Sequence, residues 1–248
     1  MTPGRRSWAR LHRRARPLSP REAAGAGGWL VLAPHPDDET LGCGGLIAAL
    51  AARGTSPTVA FLTDGSGSHV GAPGWSPSRI AAVRAQEAAT ALRCLGVTAP
   101  SIALGWRDAA PFAPGTPAFD RTLRRLVALC RARRIRTIVA SWEGDPHCDH
   151  EAAARLATAV AGRLRIACRF YCVWGWTRPD LDRRLAGMRV SAMPVARWRG
   201  DQRRALDRHR TQLGGRIAGA PDRFVLPRAM RRLVDASHLL LLEPRHAA

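Results

Sequence analysis

Residues 31 to 45 read VLAPHPDDETLGCGG, which sets an imidazole, His35, and three consecutive carboxylates, Asp37, Asp38 and Glu39, directly after an apolar run. Adjacent like charges repel, and a fold seldom gathers them at the end of a buried strand unless something positive sits among them. A metal cation is the simplest such charge. A second polar cluster, DPHCDH at residues 145 to 150, adds the imidazoles His147 and His150 and the carboxylate Asp149. Nitrogen and oxygen donors from two loops, without thiolates, suit a catalytic zinc held by three protein ligands with a position left for water. Such a metal lowers the pKa of water to about 7, and a nearby carboxylate can complete its deprotonation, which makes the water a nucleophile at neutral pH. Each cluster taken alone has a plainer explanation, since acidic residues in a first helical turn complement the helix dipole. What joins them is their shared position after predicted strands. Cys148, between the histidines, points away from its neighbours if that turn is extended.

The elements that must position these residues are legible as short apolar runs alternating with helical patterns. The runs WLVLAPH (29 to 35), TVAFLTDG (58 to 65), SIALGW (101 to 106), TIVASW (137 to 142) and FYCVWGW (170 to 176) read as strands. Between them LIAALAARG, RIAAVRAQEAATALRCLG, RTLRRLVALCRARRIR and HEAAARLATAVAGRL have helical period and length. This alternation predicts an α/β fold, a Rossmann-like three-layer sandwich with a mostly parallel sheet and helices on both faces. Ligands bind such folds at the carboxyl ends of the strands, so the first, second and fourth strand ends should converge on one rim. From about residue 177 the pattern weakens to a strand, a helix, a loop and a closing helical segment.

At 248 residues and 46% hydrophobic composition, the chain accommodates one sizeable domain. The expected organisation is a basic, disordered arm at residues 1–26 and a single domain at 27–248, with 177–248 as a C-terminal extension. The arm carries arginines at positions 5, 6, 10, 13, 14, 16 and 21 and no acidic residue before Glu22. The Arg5-Arg6 pair is not followed by an apolar stretch of signal-peptide type, so a cytoplasmic protein is expected. No apolar run approaches the length of a membrane span. Six cysteines lack C-x-x-C spacing, which argues against a disulfide framework or a cysteine zinc site. The formal charge of +20 is carried on the basic side by arginine alone, and most of it reads as solvated helix faces. The glycines of LGCGG lack the G-x-G-x-x-G spacing of a dinucleotide loop and read instead as close packing of the first core helix on the sheet.

The segments APHPDDETLGCGG, LTDG, RAQEAATALRCLGV and DPHCDH together resemble the PIG-L deacetylase family, also called LmbE-like, over about residues 29 to 176. The resemblance implies a zinc-dependent hydrolase that removes acetyl groups from N-acetylglucosaminyl compounds. By motif position it implies zinc ligands His35, Asp38 and His150, Asp37 as general base, and His147 beside the reacting carbonyl. A protonated His147 would help to stabilise the oxyanion, and Asp149 would orient an imidazole. Arg84 is implied to face the substrate; the plainer alternative is a surface ion pair with Glu87. Asp64 and the loop GSGSHVGAPGW, including His69, would line the mouth of the site as a mobile lid. Trp106, Trp142 and Trp176 are candidates to stack on a sugar ring, with core packing as the default, and His209 and Gln212 are candidates for the pocket wall.

The expected function is therefore a zinc-dependent N-deacetylase acting on a small-molecule amino-sugar conjugate, with no nucleic-acid partner. An amidase cleaving a larger amide of a sugar conjugate or natural product would use the same site core. A nucleic-acid or anionic-surface binder using the basic arm is the alternative of another class, but the arginines lack the interleaved aromatics of a stacking platform. A nucleotide-sugar binder would leave the second histidine cluster unexplained.

Overall fold

The computed structural model describes residues 3–244, and the side chains of residues 6–244. Its elements in chain order are α1 (Pro3–Arg14), β1 (Arg16–Pro17), α2 (Pro20–Gly25), β2 (Gly28–Ala33), α3 (Asp38–Ala51), β3 (Thr58–Thr63), β4 (His69–Val70), α4 (Pro77–Cys94), β5 (Ile102–Trp106) and α5 (Pro117–Ala132). There follow β6 (Ile135–Ser141), α6 (Cys148–Leu164), β7 (Ala167–Tyr171), α7 (Leu181–Arg184), β8 (Met188–Pro194), α8 (Arg199–Leu206), β9 (Asp222–Arg223), α9 (Arg228–Arg231) and β10 (His238–Pro244). Eight strands form one sheet in the order β1-β8-β10-β7-β6-β2-β3-β5, and β4 pairs with β9 in a separate ribbon. All pairings in the large sheet are parallel except those of β10, which lies antiparallel between β8 and β7.

Period-two alternation along β2 divides the core between two faces. Trp29, Val31 and Ala33 pack with α3, α4 and α8 on one side, while Leu30 and Leu32 pack with α1, α5 and α6 on the other. The sheet is thus covered on both faces, the three-layer arrangement expected of continuous apolar strands. Local chemistry starts the covering helices. Ser76 and Thr116 accept the backbone N–H of Arg79 and Phe119, and Pro77 and Pro117 follow each cap. On α5, Leu126 and Cys130 are buried while Arg121, Arg124, Arg125 and Arg131 are exposed, as on a solvated amphipathic face.

Three expectations are corrected. Within the described residues, from Pro3 on, the basic N-terminal stretch is folded: α1 buries Leu11 in the core, Ser19 and Glu22 form a capping box on α2, and β1 adds a parallel edge to β8. Arg6, Arg10, Arg13, Arg14, Arg16 and Arg21 stay at the surface while Ser7 and Leu11, four positions apart, turn inward. The closing segment is a strand, because the HLLLLEP run is enclosed on both sides by neighbouring strands, and a short apolar run has no period that separates buried strand from buried helix. The last predicted parallel strand runs earlier, over Ala167–Tyr171, so Trp174 and Trp176 fall in a 3-10 turn on the rim. No helix among the described residues is long and apolar enough to cross a membrane.

The start of α3 is held tightly against the sheet. A Cβ at Gly42 would enter the Tyr171 ring, and one at Gly45 would lie 2.7 Å from Val195 Cβ. Cys43 leaves helical geometry at φ −144°, ψ 21°, which kinks the helix between these contacts. The substitution Gly42→Ala should lower the unfolding free energy by about 1–3 kcal/mol through overpacking. A urea titration reads this directly, and an unchanged midpoint would contradict the packing.

Candidate active site

Strand ends supply the polar groups. His35 follows β2, Asp37 precedes α3, and Asp38 begins it; Asp108 follows β5; Asp145 and His147 lie between β6 and α6, whose first turn carries Asp149 and His150. The two sequence clusters meet. His35 Nδ1 lies 3.0 Å from Asp38 Oδ2, and His150 Nε2 lies 3.2 Å from the same oxygen. Donor atoms of His35, Asp38 and His150 all fall within 4.8 Å of one another.

Their hydrogen bonds define which atoms face inward. His150 Nδ1 is 3.0 Å from Asp145 Oδ2, whose carboxylate also accepts the backbone N–H groups of Val173, Trp174 and Gly175 at 2.6–3.2 Å. With its Nδ1–H donating to Asp145, His150 turns Nε2 toward Asp38, and that buried nitrogen has no hydrogen-bond partner. A lone pair aimed at a carboxylate is repulsive unless a proton or a cation sits between them. The titration behaviour carries the same message. Burial pulls the His150 imidazole down, but Asp38 and Asp145 outweigh it and push it up to about 9. Burial likewise opposes charge on His35, yet Asp108, Asp149 and Asp38 hold it well above the usual imidazole range. Burial raises Asp38, and His150 and His35 more than reverse this, leaving it below the ordinary carboxylate range. The donor set fits a divalent cation, which meets that demand with a single ion.

A second set, His35, Asp108, His147 and Asp149, also lies within 4.8 Å. There several donors already have partners: Asp149 Oδ2 accepts the Ala109 N–H at 2.9 Å and lies 3.0 Å from His35 Nε2, while His147 Nδ1 accepts the Asp149 N–H at 3.2 Å. Cys148 is exposed and belongs to neither set.

Asp37 is buried beside this cluster in a backbone conformation, φ 154° and ψ −25°, that costs a non-glycine residue about 1–3 kcal/mol. Glu39 stabilises it, because Oε2 accepts the Asp37 N–H at 2.9 Å while Oε1 accepts the Thr40 hydroxyl at 2.6 Å. Arg84 reaches in from α4 to Asp37 Oδ1 at 3.2 Å and to the carbonyls of Pro36 and Gly65 at 2.9 Å each. Gly65, at φ 67°, leaves space for that guanidinium where a Cβ would collide with it. Burial pushes the Asp37 carboxyl up to about 6, with Arg84 opposing and the Asp38 charge reinforcing the rise.

His35, Asp37, Asp38, Arg84, Asp108 and His147 line a cavity of about 210 Å³, with Ser68 and Gln212 as further polar walls and Leu41, Trp174, Phe224 and Leu226 as apolar ones. His147 caps α6. Its Nδ1 accepts the N–H that caps α6, and burial followed by the positive charge of His35 and His150 lowers its pKa, so its neutral form carries the proton on Nε2.

Of the substrate-side candidates, Arg84 and Gln212 line the cavity and the others fall elsewhere. Arg84 lines the cavity, and the surface ion pair with Glu87 is replaced by two buried roles: Arg84 holds Asp37, while Glu87 accepts from Thr211 and Arg216. Asp64 is exposed and accepts the Ser66 N–H at the start of a 3-10 turn. His69 opens β4, paired with Arg223 in the β4–β9 ribbon, and is fully buried, with Nδ1 3.0 Å from Ser68 Oγ. Trp142 is packed in the core, as is Trp106. His209 is buried behind the site, its Nε2 3.1 Å from Thr40 Oγ1 and 3.4 Å from Glu39 Oε1. The glycine-rich loop is tied to the C-terminal region by the Phe224 N–H to Ser68 carbonyl bond at 2.8 Å as well as by the ribbon.

Sequence reasoning passed over Asp108, Asp145, Glu39 as a support for Asp37, and the walls Trp174, Phe224 and Leu226. Asp145 and Asp108 both follow strand ends, so the rim rule that found the histidines also reaches them. Replacing Asp145 with Ala should leave three buried N–H groups and one imidazole without a partner, weakening metal affinity about 10–100-fold and lowering stability by about 2 kcal/mol or more. Metal titration and thermal unfolding of Asp145→Ala check both effects; wild-type affinity in that variant would contradict the orienting role.

The model of a family described as PIG-L, GlcNAc-PI de-N-acetylase, matches residues 30–161 of the chain. The chain is 30% identical over 204 residues to a 1D-myo-inositol 2-acetamido-2-deoxy-alpha-D-glucopyranoside deacetylase of Rhodococcus erythropolis, covering 68% of this chain and 67% of that protein. Across the curated relatives it matches, the chain spans between 51% and 67% of their length. Among solved structures it is similar to the conserved protein TT1542 from Thermus thermophilus, at 26% identity and a TM-score of 0.63, covering 89% of this chain and 96% of that one. It also shares the fold of the A40926 pseudoaglycone deacetylase Dbv21, at 19% identity and a TM-score of 0.65 over 89% of this chain and 98% of that one.

Proposed function

Because the chain belongs to the PIG-L family, we propose that it is a zinc-dependent hydrolase that removes an N-acetyl or similar small N-acyl group from an amino-sugar conjugate. The observation that carries the reading is the buried, unpartnered Nε2 of His150 aimed at Asp38, with His35 Nδ1 on the same oxygen. His35, Asp38 and His150 would hold the ion, and an N,O,N set free of thiolate matches a catalytic zinc. When bound, such an ion supplies Lewis acidity at the amide carbonyl and acidifies water to a pKa of about 7.

The chain's own groups account for the proton movements. Asp37 takes a proton from water; a carboxyl near 6 is well matched to removing and returning protons at neutral pH. Arg84 fixes Asp37 Oδ1 and so leaves the other oxygen for that work. Water oxygen bonds to the acyl carbon as His147 donates its Nε2–H to the oxygen that gains charge. The C–N bond then breaks, the proton held by Asp37 passes to the departing nitrogen, and a carboxylic acid and a free amine result. Asp149 orients His35, and Asp145 orients His150. On the substrate side, Trp174 and Phe224, in edge contact at a centroid distance of 5.8 Å, offer apolar faces to a sugar ring, while Ser68, Gln212 and Asp108 offer partners for hydroxyls.

The test is release of free amine from N-acetylated amino-sugar conjugates, run with the wild type and Asp37→Ala in parallel. The variant should keep its metal and lose about 10²–10⁴-fold in rate. Undiminished hydrolysis by Asp37→Ala would remove the assigned base, and no amine from any N-acetylated amino sugar would overturn the reading.

A further inference from the structure

A second cavity lies beside the catalytic one and is larger, about 770 Å³ against about 210 Å³. Its lining is predominantly apolar and includes Trp8 of α1, Leu41 of α3, Trp176 after β7, Val195 after β8, and Met230 and Leu233 of the C-terminal segment. The two cavities share one residue, Leu41, which is 3% exposed and stands three positions after Asp38, on the same face of α3 one turn along.

Both cavities occupy the same rim. The catalytic one lies over the ends of β2, β3 and β5, and the apolar one lies over the end of β7, where Cys172 and Trp176 follow the strand, and over the β8–β10 edge. There the antiparallel β10 begins opposite the end of β8, with His238 paired to Pro194. An amide has two substituents to place. The catalytic cavity is walled by Arg84, Asp108, Ser68, Gln212 and His147, which suit the hydroxyl-rich amine portion. An acyl group directed away from those polar walls would pass the aliphatic Leu41, the one residue that lines both cavities, and the cavity beyond it is apolar and several times larger than an acetyl methyl needs.

We propose that the apolar cavity is an acyl-chain subsite, and that the preferred substrate carries a medium-length aliphatic acyl group on its amino sugar. The proposal rests on the amide-hydrolase reading above and extends it to the acyl side. Hydrolysis proceeds as before: water oxygen ends on the acyl carbon, the amine takes the proton, and the fatty acid is the second product.

The experiment compares kcat/KM for glucosamine N-acylated with acetyl, butanoyl, hexanoyl and octanoyl groups, in the wild type and in Ala236→Phe and Ala9→Phe, which place a ring in the apolar cavity from two different elements. The wild type should gain up to about fourfold per methylene as each is buried, and the octanoyl-to-acetyl ratio should collapse toward one in either variant. Because Trp8 and Trp176 line the cavity, bromine-labelled decanoate should also quench the tryptophan fluorescence of the wild type, less so that of the variants. Acetyl hydrolysis with no gain along the series and no quenching overturns the acyl subsite while leaving the hydrolase reading intact. No hydrolysis of any member, acetyl included, overturns the hydrolase reading itself.

Discussion

The molecule is organised around the burial of six carboxylates on one rim. Asp37, Asp38, Glu39, Asp145 and Asp149 are almost fully enclosed, and Asp108 is largely so. Ionised carboxylates leave water only when each finds donors or a counter-charge. Asp145 has three loop N–H groups and an imidazole, Asp149 the Ala109 N–H and His35, Glu39 the Asp37 N–H and the Thr40 hydroxyl, and Asp37 the Arg84 guanidinium. Asp38 differs: apart from the His35 N–H, its partners are two imidazole nitrogens that must themselves bind something positive. The place of a cation in the site follows from this count of donors.

That requirement explains features that look incidental when taken separately. The 3-10 turn after β7 exists as a bundle of N–H donors for Asp145, which in turn fixes the ring of His150. The strained backbone of Asp37 lets consecutive carboxylates diverge, one toward the metal donors and one toward Arg84. Gly65 is left-handed and bare so that Arg84 can pass. The C-terminal third of the chain closes the same site, through His209 behind Thr40, Thr211 on Glu87, and Phe224 and Leu226 in the cavity wall. It also supplies β10, which carries the rim onward to the apolar cavity.

Much of this was legible in the sequence because chemistry and topology agreed there. Apolar runs followed by His35 and by His147 to His150 located the rim, since parallel strands expose their carboxyl ends together. What escaped was of three physical kinds. Residues 170–176 and 238–244 are apolar without a period, and only neighbouring strands decide whether such a run extends, turns or coils. The N-terminal arginines suggested an arm, although one inward face with Leu11 and Trp8 was enough to fold α1 onto the body. The choice among tryptophans failed because strand-end position does not say which way a ring turns: Trp106 and Trp142 face the core, and Trp174 faces the cavity.

The central claim is that two motifs more than a hundred residues apart build one metal site. The most direct measurement is elemental analysis of the purified wild type and of His150→Ala, with circular dichroism to establish that both are folded. The account predicts about one equivalent of zinc in the wild type, for a site with three protein ligands, and its loss from the folded variant. A folded wild type that takes up no divalent metal, or a variant that retains the wild-type content, would contradict it.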